Sequence, residues 1–514
     1  MTPKSARSSA QRDAVIVAVL SLLALLLRVA RLDFQPLWWD EGYSVWFAHQ
    51  PLAEMLRLTA LDIHPPLYYA LLGSWSKLFG LAPAALRLLS VTFGVLAVPV
   101  AYVVEKWLAG RRGGLVAALL LAINPFHVYY SQEIRMYGLM VLWSLLAIGF
   151  AARALGIGGG GGWRVDPGSP VLRIGEGGKW LVGYCVVMVL ALYTQYYAAF
   201  LAIGLTVAGL VELWRQRRAR QAAVWLGAQA VVALLFVPWV LYAGPKLVSY
   251  VSQKIVADSD KPLGLVEYLA RHLSAYTAGH LEGPLMPWWP IGLLGAIALG
   301  WGLWRMSRRS ARSNLHSHTQ AGGADPSGQI AFFQVIRFLL IALAIVLMLG
   351  WLVNLTFPFF PDRGERLLLL GLPLFILLVA TTIAALLEAA STHSEPSTLH
   401  PRLSSEPASQ GPPSTLAYPQ NRRARVHPRL SSEPASQGPP STPPRPLPSP
   451  GRSLFSRVLH CAALSGRGLS PADRTGGTMG PARGHGLGCV SLASGLFLEL
   501  RQPKRSAAAA VASR

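Results

Sequence analysis

The chain has 514 residues, of which 52% are hydrophobic and only 14% are charged, and its formal net charge is +22. A soluble globular domain carries roughly a quarter charged residues, so the composition excludes a soluble fold. The excess of basic residues would suit a nucleic-acid-binding protein, but most arginines lie in short clusters between apolar runs. That pattern is typical of the cytoplasmic loops of membrane proteins, and we expect no nucleic-acid partner.

The apolar residues form about ten candidate membrane spans, since a run of roughly 20 residues crosses a hydrocarbon core of about 30 Å. The spans are expected at 14–30, 84–108, 113–124, 138–154, two short ones within 180–214 hinged at YTQYY, 222–242, one starting at 288–289, 332–357 and 367–387. The sequence therefore predicts an all-α, multi-pass protein of the cell (inner or plasma) membrane. Residues 1–13 are expected in the cytoplasm.

The arginine-rich span ends mark one side of the membrane as cytoplasmic. They are residues 106–112, 153–179, 214–220 and 305–312. The same count places the loops at 37–66, 125–137, 244–284 and 358–366 together on the outer side. The first outer loop (32–83) and the second large one (244–284) are expected to carry short interfacial helices.

The chain changes composition near residue 391, where Pro, Ser, Arg and Gly become dominant. A 16-residue segment occurs twice without a mismatch, at His400–Thr415 and His427–Thr442. Such a composition buries too little apolar surface to offset chain entropy, and an exact repeat is simply explained by duplication in the coding DNA. We expect a membrane domain over 14–390 and a disordered tail over 391–514.

The motif WWDEGY opens the first outer loop and places Asp40 and Glu41 beside Trp38 and Trp39. A carboxylate held against indole rings has a raised pKa and can serve as a general base toward a hydroxyl. Adjacent side chains point in different directions, so at most one of the two occupies the reacting position. The alternative is an ordinary solvated loop.

The motif DIHPPLYY carries Asp62 and His64 ahead of two prolines. Proline disfavours helix for the residue before it and is accepted in the first helical turn. We therefore expect a helix to start at Pro65 or Pro66, with His64 at its N-terminus, where an anion can bind. The alternative is a capped interfacial helix with an incidental histidine.

Two further motifs belong to the outer loops. In YYSQEIRMY, Ser131 is predicted to cap a helix that carries Glu133 and Tyr137 one turn apart on one face and Arg135 on another. In PFFPDRGER, Arg363 and Arg366 lie on the outer side against the topological bias, where guanidinium groups can bind phosphate. The alternatives are capping and interface anchoring for the first motif, and snorkelling to lipid headgroups for the second.

With these motifs in order, the sequence resembles the GT-C superfamily of membrane glycosyltransferases, in the branch related to protein O-mannosyltransferases and the lipid A aminoarabinose transferase. The resemblance covers about 14–390 and is strongest over 32–153. DRGERLLLLGLPLF resembles the arginine-containing loop of the family, which is usually closer to RYLLP. Gln195 stands where related sequences often have His.

The resemblance implies transfer of a sugar from a polyprenyl-phosphate donor to a hydroxyl of a protein, lipid or glycan at the outer face of the membrane. Asp40 falls on the family's acidic position, where a carboxylate serves as base, and Glu41 is its competitor. A divalent metal is possible, but the spacing of acidic residues and histidine does not establish one. The alternatives are a membrane carrier, whose polar groups line a transport path, and a non-catalytic membrane scaffold.

Overall fold

The computed structural model describes residues 3–158, 177–257, 261–280, 326–356, 358 and 364–391. These residues form helices and no strand, which confirms the predicted all-α class. Four predictions fall outside them: most of the glycine-rich linker at 158–162, the span starting at Trp288, the position of Arg363, and the tail from residue 392 onward.

Thirteen α-helices and one 3-10 helix make up the described residues. They are α1 (Pro3–Val29), α2 (Trp39–Ala48), α3 (Leu52–Thr59), α4 (Leu67–Phe79), α5 (Pro83–Ile123), α6 (Pro125–Ser131), α7 (Tyr137–Leu155), α8 (Gly177–Leu192), α9 (Ala198–Arg215), α10 (Ala219–Ala257), α11 (Leu265–Ala278), α12 (Pro326–Thr356), the 3-10 helix (Gly364–Gly371) and α13 (Leu372–Ser391).

Six of the described helical segments are long and apolar enough to cross a membrane, and Gly178–Leu192 is a shorter apolar helix. The protein is therefore a polytopic membrane protein, as predicted. α8 ends at Leu192 and α9 begins at Ala198, so the predicted hinge at YTQYY separates two short helices.

Helix α5 contains both of the spans predicted at 84–108 and 113–124, joined at Gly110. Gly110 has φ 81°, a conformation that favours glycine because it has no Cβ. The chain reverses here: a Cβ on Gly114 would lie 2.7 Å from the carbonyl oxygen of Tyr102, twelve residues earlier. The two halves of α5 are thus antiparallel, as the basic cluster between them predicted.

Helix α10 is longer than predicted. The sequence placed the end of this span near Tyr242, ahead of the Gly244-Pro245 pair, but the helix continues to Ala257 with Pro238 and Pro245 inside it. A proline removes one backbone donor and is tolerated within long membrane helices. The polar composition of the segment from residue 244 was therefore a weaker stop signal than expected.

The core is built around α5 and α7, which pack on each other, with α1 and α13 against α5 and α8 against α7. Buried Arg28 of α1 joins α1 to α5 and α6. Its Nη atoms donate to the carbonyls of Leu121 and Ala122, at 3.2 and 3.0 Å, and its Nε donates to Ser131 Oγ at 3.3 Å. A cation at the carbonyl end of a helix is favourable, so Arg28 fixes the end of α5 where the outer loops begin.

Candidate active site

The WWDEGY motif folds into the first turn of α2, and its two carboxylates point in different directions as expected. Consecutive residues on a helix are separated by about a third of a turn, so they cannot share one face. Glu41 is fully buried, whereas the Asp40 side chain is 26% exposed. The structure therefore gives the two residues different surroundings.

Glu41 is held in a saturated network. Arg87 of α5 donates to its Oε2 at 2.7 Å and to its Oε1 at 3.0 Å. The backbone N–H of Ile134 also donates to Oε1, at 3.0 Å. The same guanidinium donates to the carbonyls of Leu32 and Gln35. Glu41 thus joins α2, α5 and the two outer loops, and its oxygens are occupied by protein donors.

This network argues against the prediction of Glu41 as a catalytic competitor of Asp40. A general base must reach the proton that it abstracts, and no exposed surface remains on Glu41. Helical periodicity cannot reveal this, because the deciding contact comes from Arg87, 46 residues away. Glu41 therefore braces the loop, whereas the Asp40 carboxylate stays partly accessible.

Asp40 pairs with Arg366 of the 3-10 helix. Arg366 Nη2 donates to Asp40 Oδ2 at 3.3 Å, and the guanidinium carbon lies 5.3 Å from the centre of the Trp38 ring. Trp39, by contrast, is 52% exposed, so only one of the two predicted indoles belongs to this site. The long hydrogen bond and partial exposure make this pair weaker and more accessible than the Glu41–Arg87 pair.

Arg135 lies against the other side of Asp40. Its Nη1 donates to the Asp40 carbonyl and to Ser44 Oγ, both at 3.3 Å, and its Nη2 lies 2.9 Å from His64 Nε2. A guanidinium only donates, so Nε2 of His64 must accept. His64 is then the neutral tautomer with its proton on Nδ1, which donates to Asp62 Oδ2 at 3.1 Å.

Burial and the Arg135 charge lower the pKa of His64, in agreement with its neutral form. Burial alone would raise the pKa of Asp62, but the hydrogen bond from His64 and the charge of Arg135 lower it. His64 lies just before α4, as predicted, and α4 begins at Leu67 with Pro66 as its N-cap. The Leu67 N–H already donates to the Tyr193 carbonyl at 3.0 Å, so the protein itself occupies part of this helix end.

Glu133 is 4% exposed, and its Oε2 is buried with no hydrogen-bond partner among the described residues. Burial raises the pKa of Glu133 to about 8, although Arg366 and Arg135 favour its charged form. Tyr137 is buried and interacts electrostatically with Arg366, Arg135 and Glu133. All of the predicted site residues within the described part of the chain therefore lie in or beside one polar region.

The local structure of YYSQEIRMY differs from the prediction. Ser131 is the last residue of α6 instead of a cap, because its Oγ donates to the carbonyl of His127 in the preceding turn. Residues 132–135 form bends, and α7 begins only at Tyr137. Glu133 and Tyr137 are therefore not one helical turn apart. The bend is what turns Arg135 inward and offers the Ile134 N–H to Glu41.

The second outer loop also reaches the site. In α11, Arg271 Nε donates to Glu365, and His280 Nδ1 lies 3.6 Å from the other oxygen of Glu365. His280 Nε2 is 2.8 Å from the hydroxyl of Tyr130. These contacts hold the 3-10 helix, and with it Arg366, against α6. Segments of all four loops that were expected on one side of the membrane thus meet here.

Several of these residues were not singled out from the sequence. Arg87 is one of them, yet an arginine within an apolar helix is energetically costly unless it has a partner, and that cost was the available signal. Glu365 and Arg271 gave no comparable signal. Gln195 donates to the Leu367 carbonyl at 3.2 Å, so it braces the 3-10 helix beside Arg366.

Within the described ranges, no group of three or more His, Cys, Asp or Glu residues is arranged to hold a metal ion.

Comparison with known proteins agrees with the motif-based resemblance. The family model described as dolichyl-phosphate-mannose-protein mannosyltransferase matches residues 63–164, which include His64 and YYSQEIRMY. No curated protein sequence matches the chain. The recognised resemblance to GT-C glycosyltransferases is confirmed by this match over about a fifth of the chain.

Three solved structures are similar. ArnT from Cupriavidus metallidurans bound to undecaprenyl phosphate is 16% identical, with 74% of this chain and 77% of that chain covered and a TM-score of 0.36. AglB from Archaeoglobus fulgidus, with an inhibitory peptide and a dolichol-phosphate, is 14% identical over 75% of this chain and 51% of that chain, with a TM-score of 0.41. The S. cerevisiae Pmt1-Pmt2 complex bound to the sugar donor is 15% identical over 45% of this chain, with a TM-score of 0.34, and the match spans only 33% of that chain's length.

Proposed function

We propose that this protein is a membrane glycosyltransferase that moves a sugar from a polyprenyl-phosphate donor to a hydroxyl acceptor at the outer face of the membrane. The observation that carries the proposal is the accessible Asp40–Arg366 pair at the meeting point of the outer loops. It places a carboxylate that can accept a proton beside a cation that can bind phosphate. The family match over 63–164 supports the same reaction class.

The chemistry needs one displacement. The carboxylate of Asp40 takes the proton of the acceptor hydroxyl, and the hydroxyl oxygen attacks the anomeric carbon of the sugar. The bond from that carbon to the phosphate oxygen breaks, and polyprenyl phosphate leaves with the bonding electrons. Attack opposite the leaving group inverts the anomeric carbon. A lipid-phosphate donor carries its own activation, so no nucleotide-binding loop is required.

Arg366 is proposed to stabilise the negative charge on the departing phosphate, with Arg363 assigned to the same role. Arg366 reaches Asp40 through a single hydrogen bond of 3.3 Å, so an arriving phosphate can replace the carboxylate as its partner at modest cost. That exchange leaves Asp40 free to act as the base. Donor binding would then precede deprotonation of the acceptor.

The remaining predicted residues are proposed to bind substrate. Arg135 is fixed by His64 and the Asp40 carbonyl, which places a second cation near the reacting carboxylate. Asp62 sets the tautomer of His64. Tyr137 lines the same region.

The test is transfer by the purified full-length protein in proteoliposomes, supplied with polyprenyl-phosphate-linked sugars and hydroxyl-bearing peptides or lipids. The expected result is formation of the glycosylated acceptor together with release of polyprenyl phosphate, and loss of both in Asp40→Asn. Glu54→Gln, in the exposed Glu54–Arg57 pair of α3, is a matched control and should retain activity. Movement of intact donor across the bilayer without release of sugar would contradict the proposal and favour a carrier.

A further inference from the structure

Glu133 differs from its neighbours in the segment that joins α6 to α7. Ser131 donates to the His127 carbonyl, and Gln132 donates to the carbonyls of Arg28 and Ala30. Arg135 is bonded to Asp40, Ser44 and His64. The polar side chains on both sides of Glu133 thus hold the fold together, whereas Glu133 Oε2 is buried without a partner in the described part of the chain.

The backbone fixes the position of this carboxyl. The Ile134 N–H is bound to Glu41, and the Ser90 hydroxyl donates to the Arg135 carbonyl at 3.1 Å. A buried polar atom without a partner is costly, so a rigid segment that presents one is either hydrated or completed by a ligand. Since the segment cannot easily turn Glu133 away, the unpaired oxygen points to a polar ligand.

The charges around Glu133 limit what that ligand can be. The groups that act on it electrostatically are Arg366, Arg135, Glu41 and Asp40. Glu41 is neutralised by Arg87, and Asp40 is paired with Arg366, so the immediate surroundings hold no excess negative charge. A protonated carboxyl, which has one donor and additional acceptor capacity, matches a sugar hydroxyl. An ammonium group would meet two guanidinium groups and a carboxyl that burial keeps neutral.

We propose that Glu133 binds a hydroxyl of the transferred sugar and makes the site selective for a neutral sugar over an amino sugar. This inference rests on the proposed function and deepens it. A site built to hydrogen-bond a hydroxyl discriminates strongly against a substrate that leaves its buried polar groups unpaired. Glu133 is then a residue that determines specificity, while Asp40 carries out the deprotonation.

The test compares two donors, a polyprenyl phosphate carrying a neutral hexose and one carrying its amino-sugar analogue, in wild type, Glu133→Gln and Glu133→Ala. Wild type should favour the neutral donor by about 100-fold or more in kcat/KM. Glutamine keeps the volume, one acceptor and donor hydrogens, so Glu133→Gln should stay within about 10-fold of wild type. Glu133→Ala should lose about 10–100-fold on the neutral donor, and Glu54→Gln should match wild type.

A binding measurement separates the possible failures. Bare polyprenyl phosphate lacks the sugar, so Glu133→Ala should bind it as wild type does and should bind only the sugar-bearing donor more weakly. Equal affinity of Glu133→Ala and wild type for the sugar-bearing donor would overturn the inference, as would equal use of both donors by wild type or a loss in Glu133→Gln as large as that in Glu133→Ala. If wild type binds the donors with this pattern yet transfers neither sugar, the proposed function fails while the binding role of Glu133 stands.

Discussion

Two ion pairs lie side by side at the start of α2, and they are built in opposite ways. Glu41 and Arg87 are almost completely buried and share two hydrogen bonds. Arg87 also donates to the carbonyls of Leu32 and Gln35, and Glu41 accepts from the Ile134 N–H. Asp40 and Arg366 are partly exposed and share one bond of 3.3 Å. The first pair is costly to break, and the second can be exchanged for a ligand.

The difference shows how one short motif serves both structure and chemistry. A buried charge pair is stable only when its other hydrogen-bonding groups are satisfied, and the Glu41–Arg87 pair meets that condition by joining α2, α5 and two loops. Its rigidity places Asp40 at the edge of the same region. The adjacent carboxylates thus have different surroundings, and the proposed mechanism assigns the reaction to the one with fewer protein partners.

The largest effect is expected from breaking the buried pair. Arg87→Met keeps a long apolar side chain but leaves the Glu41 carboxylate buried without its cation, which should lower the free energy of unfolding by about 3–5 kcal/mol. Thermal or denaturant unfolding in detergent measures this decrease in the free energy of unfolding. Arg57→Met in the exposed Glu54–Arg57 pair is the control and should change stability by less than about 1 kcal/mol. Equal stability of the two variants would remove the distinction between a structural and an exchangeable pair.

Breaking the exposed pair should affect binding instead of folding. Arg366→Ala is expected to weaken donor binding by about 1.5–3 kcal/mol, because a charged hydrogen bond to phosphate is lost. The unfolding midpoint should stay close to that of wild type. Affinity for polyprenyl phosphate, measured in nanodiscs, checks this, and unchanged affinity would favour an arginine that merely snorkels to lipid headgroups.

A smaller effect is expected in the pH dependence of stability, through the side chain of Glu133. Because burial raises its pKa from 4.5 to about 8, the folded state binds a proton that the unfolded state has released between those pH values. Stability should therefore fall as pH rises through this window. Glu133→Gln should lack that component. Unfolding midpoints measured from pH 5 to 9 check this. The same pH dependence in wild type and Glu133→Gln would contradict the assignment of the effect to Glu133.

The smallest effect is expected at His64. Its pKa is lowered by burial and by Arg135, so protonation occurs mainly in the unfolded state as pH falls below 6.5, and stability should decline on that side. Protonation of His64 also turns Nε2, which accepts from Arg135, into a donor. His64→Gln keeps a polar side chain and should lose the acid-side decline while reducing turnover by about 10-fold or less. If the stability of His64→Gln fell below pH 6.5 as much as that of wild type, the decline would belong to another group.

The sequence predicted what depends on local pattern and missed what depends on distant contacts. Apolar runs were enough to predict the helical class and the break between helices at YTQYY. The roles of Glu41 and Glu133 were not accessible in this way. Arg87 approaches Glu41 across 46 residues of chain, and the bend at 132–135 replaces the expected helix because Ser131 bonds backward to α6. Side-chain direction in these segments is set by tertiary contacts.

The most direct test of the account measures turnover and stability together in Asp40→Asn and Glu41→Gln, two variants that each remove one negative charge from neighbouring residues. Asp40→Asn should lower turnover by about 10²–10⁴-fold with an unfolding midpoint close to that of wild type. Glu41→Gln leaves Arg87 buried without its counter-ion and should lower the unfolding midpoint strongly, with any folded fraction still active. A stable, inactive Glu41→Gln beside a fully active Asp40→Asn would contradict the account.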